Sequence, residues 1–345
     1  MSTMRAVVVR AHGGPEALRL ETLPVPEPGP CQVRVRVEAV ALNHLDVWVR
    51  RGVPGHTFPL PIIPGCDVAG RVDALGAGAE GMAEGDAVVL DPGISCGRCA
   101  ACRAGEEPLC RSYHILGETR DGGCAEFVVV PARNVFPRPP GLDAPQAAAI
   151  PLTFLTAWHM LVARARVRPG ERVLIHAAAS GVSTAAIQIA RLHGARVLAT
   201  AGSKAKTALA RELGAEETVD TSAEDFVEVA RRWTGKRGVD VAVDHVGQET
   251  FDRTVRCLAK GGRYVTCGAT SGYEMKTDFR LVFFKSLSIL GSTMGGSHEL
   301  AAVLSHVGDG RLRPVVDRVL PLERVQEAHA LLEERKALGK VVLIP

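Results

Sequence analysis

Hydrophobic and polar positions along the chain fall into two textures. Over the first 140 residues the apolar runs are short and strand-like. "CQVRVRVEAV" (31–40) alternates with period two, as a half-buried strand does. "DAVVLDP" (86–92) and "EFVVVP" (126–131) are short apolar runs bounded by turn residues, and both predict strands. The opening "MSTMRAVVVRAHGGPE" has an apolar stretch of four residues, which suits a strand and is too short for a signal peptide. "LPVPEPGP" and "PRPPGLDAPQ" are Pro-rich connections, and the second, at 137–146, predicts a domain boundary.

Beyond that boundary the period changes. "ERVLIHA" (171–177) predicts a buried strand, and "VSTAAIQIARLHG" (182–194) an amphipathic helix stopped by Gly194. "ARVLAT" (195–200) is a second strand, "KAKTALARELG" (204–214) a helix stopped by Gly214, and "DFVEVARRWTG" (225–235) another helix. "GVDVAVDHVG" (238–247) then predicts a strand, "QETFDRTVRCLAKGG" (248–262) a helix and "GRYVTCG" (262–268) a strand. Strands alternating with helices of this length predict βαβ units and a parallel sheet. The tail adds "LAAVLSHVGDG" as a helix, "PVVDRVL" as a strand, "ERVQEAHALLEER" as a helix and "KVVLIP" as a last strand, able to extend either domain. There is no internal repeat and no low-complexity segment.

Composition narrows the function classes. With 345 residues there is room for two domains, each with its own core. A hydrophobic content of 46%, a charged content of 23% and scattered basic residues summing to a net +3 give no patch for nucleic acid or an anionic membrane. No stretch is expected to reach the roughly 20 apolar residues of a membrane helix, so the expectation is a cytoplasmic protein acting on a small molecule. Arginine outnumbers lysine 33 to 8 and there are only two asparagines, Asn43 and Asn134. That balance fits a thermophile, and equally a GC-rich genome.

"SCGRCAACRAGEEPLC" (95–110) carries the clearest chemistry. Cys96, Cys99, Cys102 and Cys110 follow the spacing C-x2-C-x2-C-x7-C. Short spacers let one loop wrap four thiolates around one ion, and tetrahedral zinc with four Cys ligands leaves no position for water. Such a site is structural, holding together a loop with little apolar content. An iron–sulfur cluster, or a site with free thiols, remains the alternative. Cys31, Cys66, Cys124, Cys257 and Cys267 are dispersed and read as small buried residues.

A second candidate lies in "VLIHAAASGVSTAA", a small-residue turn between a buried strand and a helix. A dinucleotide pyrophosphate would rest on the amides at the helix start, residues Ala178, Ser180, Gly181, Val182 and Ser183. The expected G-x-G-x-x-G falls on Ala178, Ser180 and Ser183, so all three glycines are replaced by small residues. As a motif this is weak, and a ligand-free βα turn stays open. The following strand ends "LATAGSKAK": the carboxylate that bonds a NAD ribose is missing, while Ser203, Lys204 and Lys206 suit a 2′-phosphate. NADP(H) is therefore preferred, with NAD(H) open, since both lysines also suit a solvated helix start.

With these parts in place, the whole chain resembles the medium-chain dehydrogenase/reductase superfamily, which holds the zinc-type alcohol dehydrogenases and the quinone oxidoreductases. "PGCDVAGRVDALGAGAEGMAEGDAVV" is similar to that family's N-terminal signature, and "GGCAEFVVVP", "GVDVAVDHVGQETF", "GGRYVTCGATSG" and "GKVVLIP" to later blocks. The resemblance implies an α/β chain: a GroES-like β-rich catalytic domain at 1–145 with the structural zinc lobe at 95–110, a doubly wound Rossmann domain at 146–290, and a 291–345 segment returning to the catalytic domain. It also implies a homodimer or homotetramer, and places His245, Gly247, Cys267 and Gly268 near the cofactor. A core role for His245 is the competing reading.

The family's catalytic zinc is another matter. Its first Cys ligand falls on Asn43, its His on Cys66 followed by Asp67, and its last Cys near Leu152. An Asn amide is a poor zinc ligand and Leu152 has no ligand atom, although His44 and Asp67 leave an improvised site open. "ALNHLDVWVRRG" (41–52) instead resembles the zinc-free quinone oxidoreductases. Three readings follow: an NADPH-dependent reductase of quinones or α,β-unsaturated carbonyls, a zinc-dependent alcohol dehydrogenase with an atypical ligand set, and a non-catalytic nucleotide-binding protein. For the first, Asn43 is the candidate hydrogen-bond donor and His44 the candidate proton source, with a packing role for His44 as the alternative.

Overall fold

The computed structural model describes residues 2–345. The chain forms two compact units: one holds residues up to Leu152 together with Gly295–Gly310 and Pro314–Pro345, the other Thr153–Met294 with Arg311–Arg313. The divisions thus fall after Leu152 and Met294, later than the expected 145 and 290. The Pro-rich stretch at 137–146 lies wholly inside the first unit.

In chain order the first unit opens with an antiparallel pair, β1 (Thr3–Val9) and β2 (Leu18–Pro24). Then come β3 (Gln32–Ala41), α1 (His44–Arg51), β4 (Asp67–Leu75) and β5 (Ala87–Leu90). A lobe carries β6 (Gly93–Ile94), α2 (Ala100–Arg103) and β7 (His114–Ile115). After it stand β8 (Phe127–Pro131), β9 (Val135–Pro137), α3 (Ala144–Ala148) and α4 (Pro151–Trp158), which runs across the division. The second unit is built of β10 (Arg172–Ile175), α5 (Gly181–Leu192), β11 (Arg196–Ala201), α6 (Lys204–Glu212), β12 (Glu217–Asp220) and α7 (Phe226–Trp233). It continues with β13 (Val239–Val243), α8 (Phe251–Cys257), β14 (Leu258–Thr266), α9 (Phe279–Phe284) and β15 (Ser288–Gly291). The tail supplies α10 (Ser297–Gly308), β16 (Val316–Pro321), α11 (Val325–Glu333) and β17 (Lys340–Ile344).

In the first unit seven strands form one sheet in the order β16-β17-β3-β4-β5-β9, with β8 also on β3. The alternation read in β3 is the burial pattern: Val33, Val35 and Val37 are buried, while Arg34 and Glu38 are half-buried and Arg36 is exposed. β17 pairs antiparallel with β3 (Val342 opposite Ala41), so the tail strand belongs to this sheet.

In the second unit six parallel strands run in the order β12-β11-β10-β13-β14-β15. Numbered from β10, that is 3-2-1-4-5-6, the doubly wound dinucleotide-binding order whose switch point lies between β10 and β13. The helix expected at 248–262 is shorter, Phe251–Cys257, and β14 starts at Leu258 rather than 262. Lys285 Nζ donates to the carbonyls of Arg256 (3.0 Å) and Leu258 (2.8 Å), and Gly261, at φ +73°, turns the chain inside the strand. Edge strands β12 and β15 were not expected; each has four residues.

One expectation about apolar content is corrected. Residues Ala144–Arg164 form a helical stretch of 21 residues with mean hydropathy 1.3, enough by length and composition to cross a membrane. Of its most apolar window 67% is buried inside the protein, which is how a core helix appears.

Candidate functional site

At the expected catalytic-metal position the first unit gathers Asn43, Cys66, Asp67, Leu152 and a residue the sequence reading missed, Lys340. Asn43 ends the loop after β3 and caps α1: Asp46 Oδ2 accepts its backbone N–H at 2.7 Å, and Asp46 Oδ1 accepts the N–H of Gly65 at 2.8 Å. Gly65 sits at φ +97°, and a Cβ there would lie 2.8 Å from Cys124 Sγ, so only glycine delivers Cys66 and Asp67 next to α1. Burial raises the Asp46 carboxyl to about 6 despite its two amide partners.

Lys340 opens β17 and its ammonium donates to Asn43 Oδ1 (2.6 Å) and Asp67 Oδ2 (2.8 Å). This ion pair is closed to solvent: Lys340 is 4% exposed and Asp67 0%. Asn43 Nδ2 donates to Asp67 Oδ2 at 2.8 Å, with its other hydrogen near Cys66 Sγ (3.3 Å) and Ala41 O (3.4 Å). Asp67 Oδ1 accepts the Leu152 N–H at 2.6 Å. Burial, with the negative charges of Asp67 and Asp46, pushes the Cys66 thiol well above its ordinary value, so it stays protonated.

This donor set does not fit a zinc ion. The Asn43 oxygen is taken by a cation, Cys66 resists becoming a thiolate, and Leu152 offers only its backbone. His44 begins α1 half-buried, its ring edge-on to Trp48 with centroids 5.7 Å apart.

The metal lobe is the opposite case. One sulfur from each of Cys96, Cys99, Cys102 and Cys110 lies within 4.8 Å of the others, and this is the cluster of such side chains found among the described residues. Backbone amides of Arg98 and Cys99 draw the Cys96 thiol down to about 6, favouring the thiolate a metal needs. Four converging sulfurs fit a tetrahedral ion, which these residues would hold as a structural cross-link.

In the second unit the turn after β10 carries Ala178 (buried), Ser180, Gly181, Val182 and Ser183. Ser180 is the N-cap of α5, its Oγ accepting the Ser183 N–H at 3.1 Å. The turn meets the end of β13 at the switch point, where His245 Nε2 lies 3.0 Å from both Ser180 Oγ and Ser183 Oγ. Buried His176, not singled out from sequence, closes the floor: Nδ1 lies 2.9 Å from Thr200 Oγ1 and Nε2 2.8 Å from Thr254 Oγ1.

Ser203 caps α6, with the Lys206 N–H 3.5 Å from its Oγ, and Lys204 opens that helix. Asp220, at the end of β12, is held below the usual carboxylate range by the Ser222 hydroxyl and amide, and further by Lys204. The sequence reading missed this carboxylate, which lies 16 positions beyond Lys204 and becomes its neighbour only through the sheet. Cys267 and Gly268 follow β14; burial pushes the Cys267 thiol up to about 12, and the Gly268 carbonyl accepts the Thr266 hydroxyl at 2.8 Å.

Known proteins match this arrangement over both units. Residues 29–140 match the alcohol dehydrogenase GroES-like domain, and residues 181–309 the zinc-binding dehydrogenase family. Human quinone oxidoreductase is 31% identical over 99% of this chain and 98% of its own. The chain belongs to the medium-chain dehydrogenase/reductase family. Among solved structures of the family, an NAD-dependent alcohol dehydrogenase is 56% identical, with a TM-score of 0.96 over 99% of this chain and 100% of that one. The 2-octenoyl-CoA carboxylase reductase CinF, solved with NADP and 2-octenoyl-CoA, is 28% identical with a TM-score of 0.92, covering 100% of this chain and 88% of that one. The chain is thus a nicotinamide-dependent oxidoreductase with a GroES-like domain and a Rossmann-like parallel sheet.

Proposed function

We propose that this member reduces quinones or α,β-unsaturated carbonyls, with NADP(H) preferred, and uses no zinc at the reacting centre. The observation that carries this reading is the Lys340–Asn43–Asp67 trio where catalytic ligands would stand. Zinc as Lewis acid is worth several kcal/mol of charge stabilisation, and without it oxidising a simple alcohol is hard because nothing stabilises the alkoxide. A conjugated acceptor spreads the incoming negative charge to a distant oxygen, and hydrogen-bond donors then suffice. The bound dinucleotide would supply the hydride.

Asn43 is poised as such a donor. Its oxygen and one N–H are fixed by Lys340 and Asp67, so the amide is held in one orientation. Its second N–H makes only long contacts, at 3.3 and 3.4 Å, and is available for redirection to a substrate oxygen. His44, one residue on, is the proposed source of the proton that completes the reduction. Cofactor preference rests on Ser203, Lys204 and Lys206 at the start of α6 and on a β11 that ends in Ala201 rather than a carboxylate.

A second reading, an NAD-dependent alcohol dehydrogenase, is favoured by the 56% identical structure. We further propose a homodimer or homotetramer in the cytoplasm. Phe279, Phe283, Phe284 and Ile289 are exposed around edge strand β15, and a four-thiolate site persists in a reducing compartment.

Steady-state rates with NADPH and NADH on one quinone, one enone and one primary alcohol decide between the readings when joined to a zinc count. Reduction of the conjugated acceptors with about one zinc per chain is expected; alcohol oxidation with about two would overturn the proposal. Light scattering on the same sample reads the mass, and a monomer would sink the assembly.

A further inference from the structure

The replaced glycines of the nucleotide turn have a hydrogen-bond polarity that the heavy-atom positions determine. Ser183 Oγ lies 2.6 Å from the carbonyl oxygen of His176, so its hydroxyl hydrogen is spent on that acceptor. Toward any other neighbour Ser183 Oγ can only accept. His245 Nε2 is 3.0 Å away, so Nε2 must carry a hydrogen; the other tautomer would face two lone pairs across that distance.

Ser180 Oγ is likewise 3.0 Å from Nε2, and it also accepts the Ser183 N–H at 3.1 Å. A protonated Nε2 cannot accept from Ser180. The Ser180 hydroxyl hydrogen therefore has no acceptor within the trio and is directed away from it. Ser180 is half-buried, and as the N-cap of a helix of 12 residues it stands beside the first-turn amides of Gly181 and Val182, which helix geometry leaves without intrahelical partners. Both arms of the trio also stand at the switch point, the serines after β10 and His245 after β13.

We propose that Ser180 presents its hydroxyl as a side-chain donor to the pyrophosphate of the bound dinucleotide, and that His245 is the positioning residue that sets this polarity. The inference rests on reading the turn as the dinucleotide site. It gives the replaced glycines a purpose. An ordinary Gly-rich turn offers only backbone N–H groups to the phosphates, whereas this one adds a hydroxyl with a fixed direction. Groups facing His245 are consistent with a neutral, singly protonated ring. Burial holds it below the ordinary His value, with His176 acting in the same sense and the adjacent Asp244 carboxylate and a hydrogen bond to its own backbone opposing. His176 is itself fixed by Thr200 and Thr254, so the floor of the site does not compete for the Ser180 hydrogen.

Two measurements on the full-length protein test this. The first is nitrogen NMR of the histidine rings without cofactor, assigned to His245 with a His245→Gln control. The Nε2–H tautomer is expected; the Nδ1–H tautomer would overturn the inference whatever the ligand. The second is titration with NADPH and with adenosine, which lacks the pyrophosphate. Ser180→Ala should weaken NADPH binding about 10-fold or more, the scale of a lost hydrogen bond to a charged group, and leave adenosine binding within about twofold. Ser180→Thr keeps both cap and hydroxyl and should restore NADPH affinity; His245→Leu removes the N–H toward the serines and should weaken NADPH binding, and His245→Gln, which keeps an N–H there, should recover part of that loss. Equal losses for NADPH and adenosine in Ser180→Ala would assign the effect to the helix cap and refute the donor role. If the wild type binds NADPH and Ser180→Ala binds it equally well, the inference fails while the cofactor reading stands. If the wild type binds neither NADPH nor NADH, the cofactor reading itself fails.

Discussion

The four-cysteine lobe and the Cys66 site both lie in the first unit, and the protein treats their sulfurs in opposite ways. In the lobe, backbone amides point at Cys96 and favour its thiolate, and four sulfurs converge within 4.8 Å. Against the pull of the Cys102 amide, the neighbouring thiols hold Cys99 up at about 11 as long as no ion is bound. At Cys66 the thiol is enclosed, faces two carboxylates and is held protonated, while a lysine occupies the charge position beside it. A cysteine is therefore not a ligand by virtue of its residue type. What decides is whether the surroundings stabilise the anion and leave the centre vacant, and the same 345-residue chain shows both outcomes.

The largest effect should come from taking the metal out of the lobe. Exhaustive chelation, or Cys99→Ser, should remove about one zinc per chain and lower the Tm by more than ~10 °C, because such an ion would replace a core the lobe lacks. A calorimetric trace unchanged by chelation would break the comparison on its metal side.

The next effect sharpens the other side. Lys340→Met leaves the Asp67 carboxylate buried and uncompensated and should cost about 3–5 kcal/mol in urea unfolding. Adding Asp67→Asn to that variant should recover part of the loss, since no charge then remains. Equal stability of Lys340→Met and wild type would show that Lys340 does not neutralise this site.

The smallest effect is in pH. Asp46 is raised from 3.8 to about 6 by burial, so folding favours its protonated form. Its contribution is full below the unfolded value and is lost as pH rises through about 6, a change of order 3 kcal/mol for a shift of about two units. Subtracting the stability profile of Asp46→Asn from that of the wild type isolates this slope, and a flat difference between pH 4 and 7 would contradict it.

What could be read beforehand follows the range of the interactions. The lobe was legible because its four cysteines sit together: Cys96 and Cys110 are 14 positions apart and carry a recognisable spacing. β3 was legible because alternation is a local signal of one buried face. The Lys340–Asn43 contact spans 297 positions, and no local pattern announces it. Its only trace was a lysine opening the apolar run "KVVLIP" in a chain with eight lysines. Strands β12 and β15 escaped notice because sheet edges are short and half-solvated, which weakens their periodicity. The end of α8 was misplaced because it is set by Lys285, 27 residues after Leu258. The turn after β10 was located correctly, but the trio with His245 needed the sheet order to bring positions 62 to 65 apart into contact.

The pairing of β17 with β3 also bears on how the chain is born. A ribosome releases Lys340 and its strand only after all of the second unit, so Asn43 and Asp67 emerge long before their cation does. The nucleotide-binding half is continuous enough to mature during translation, whereas the other half must wait, part-assembled, for the last strand to thread home.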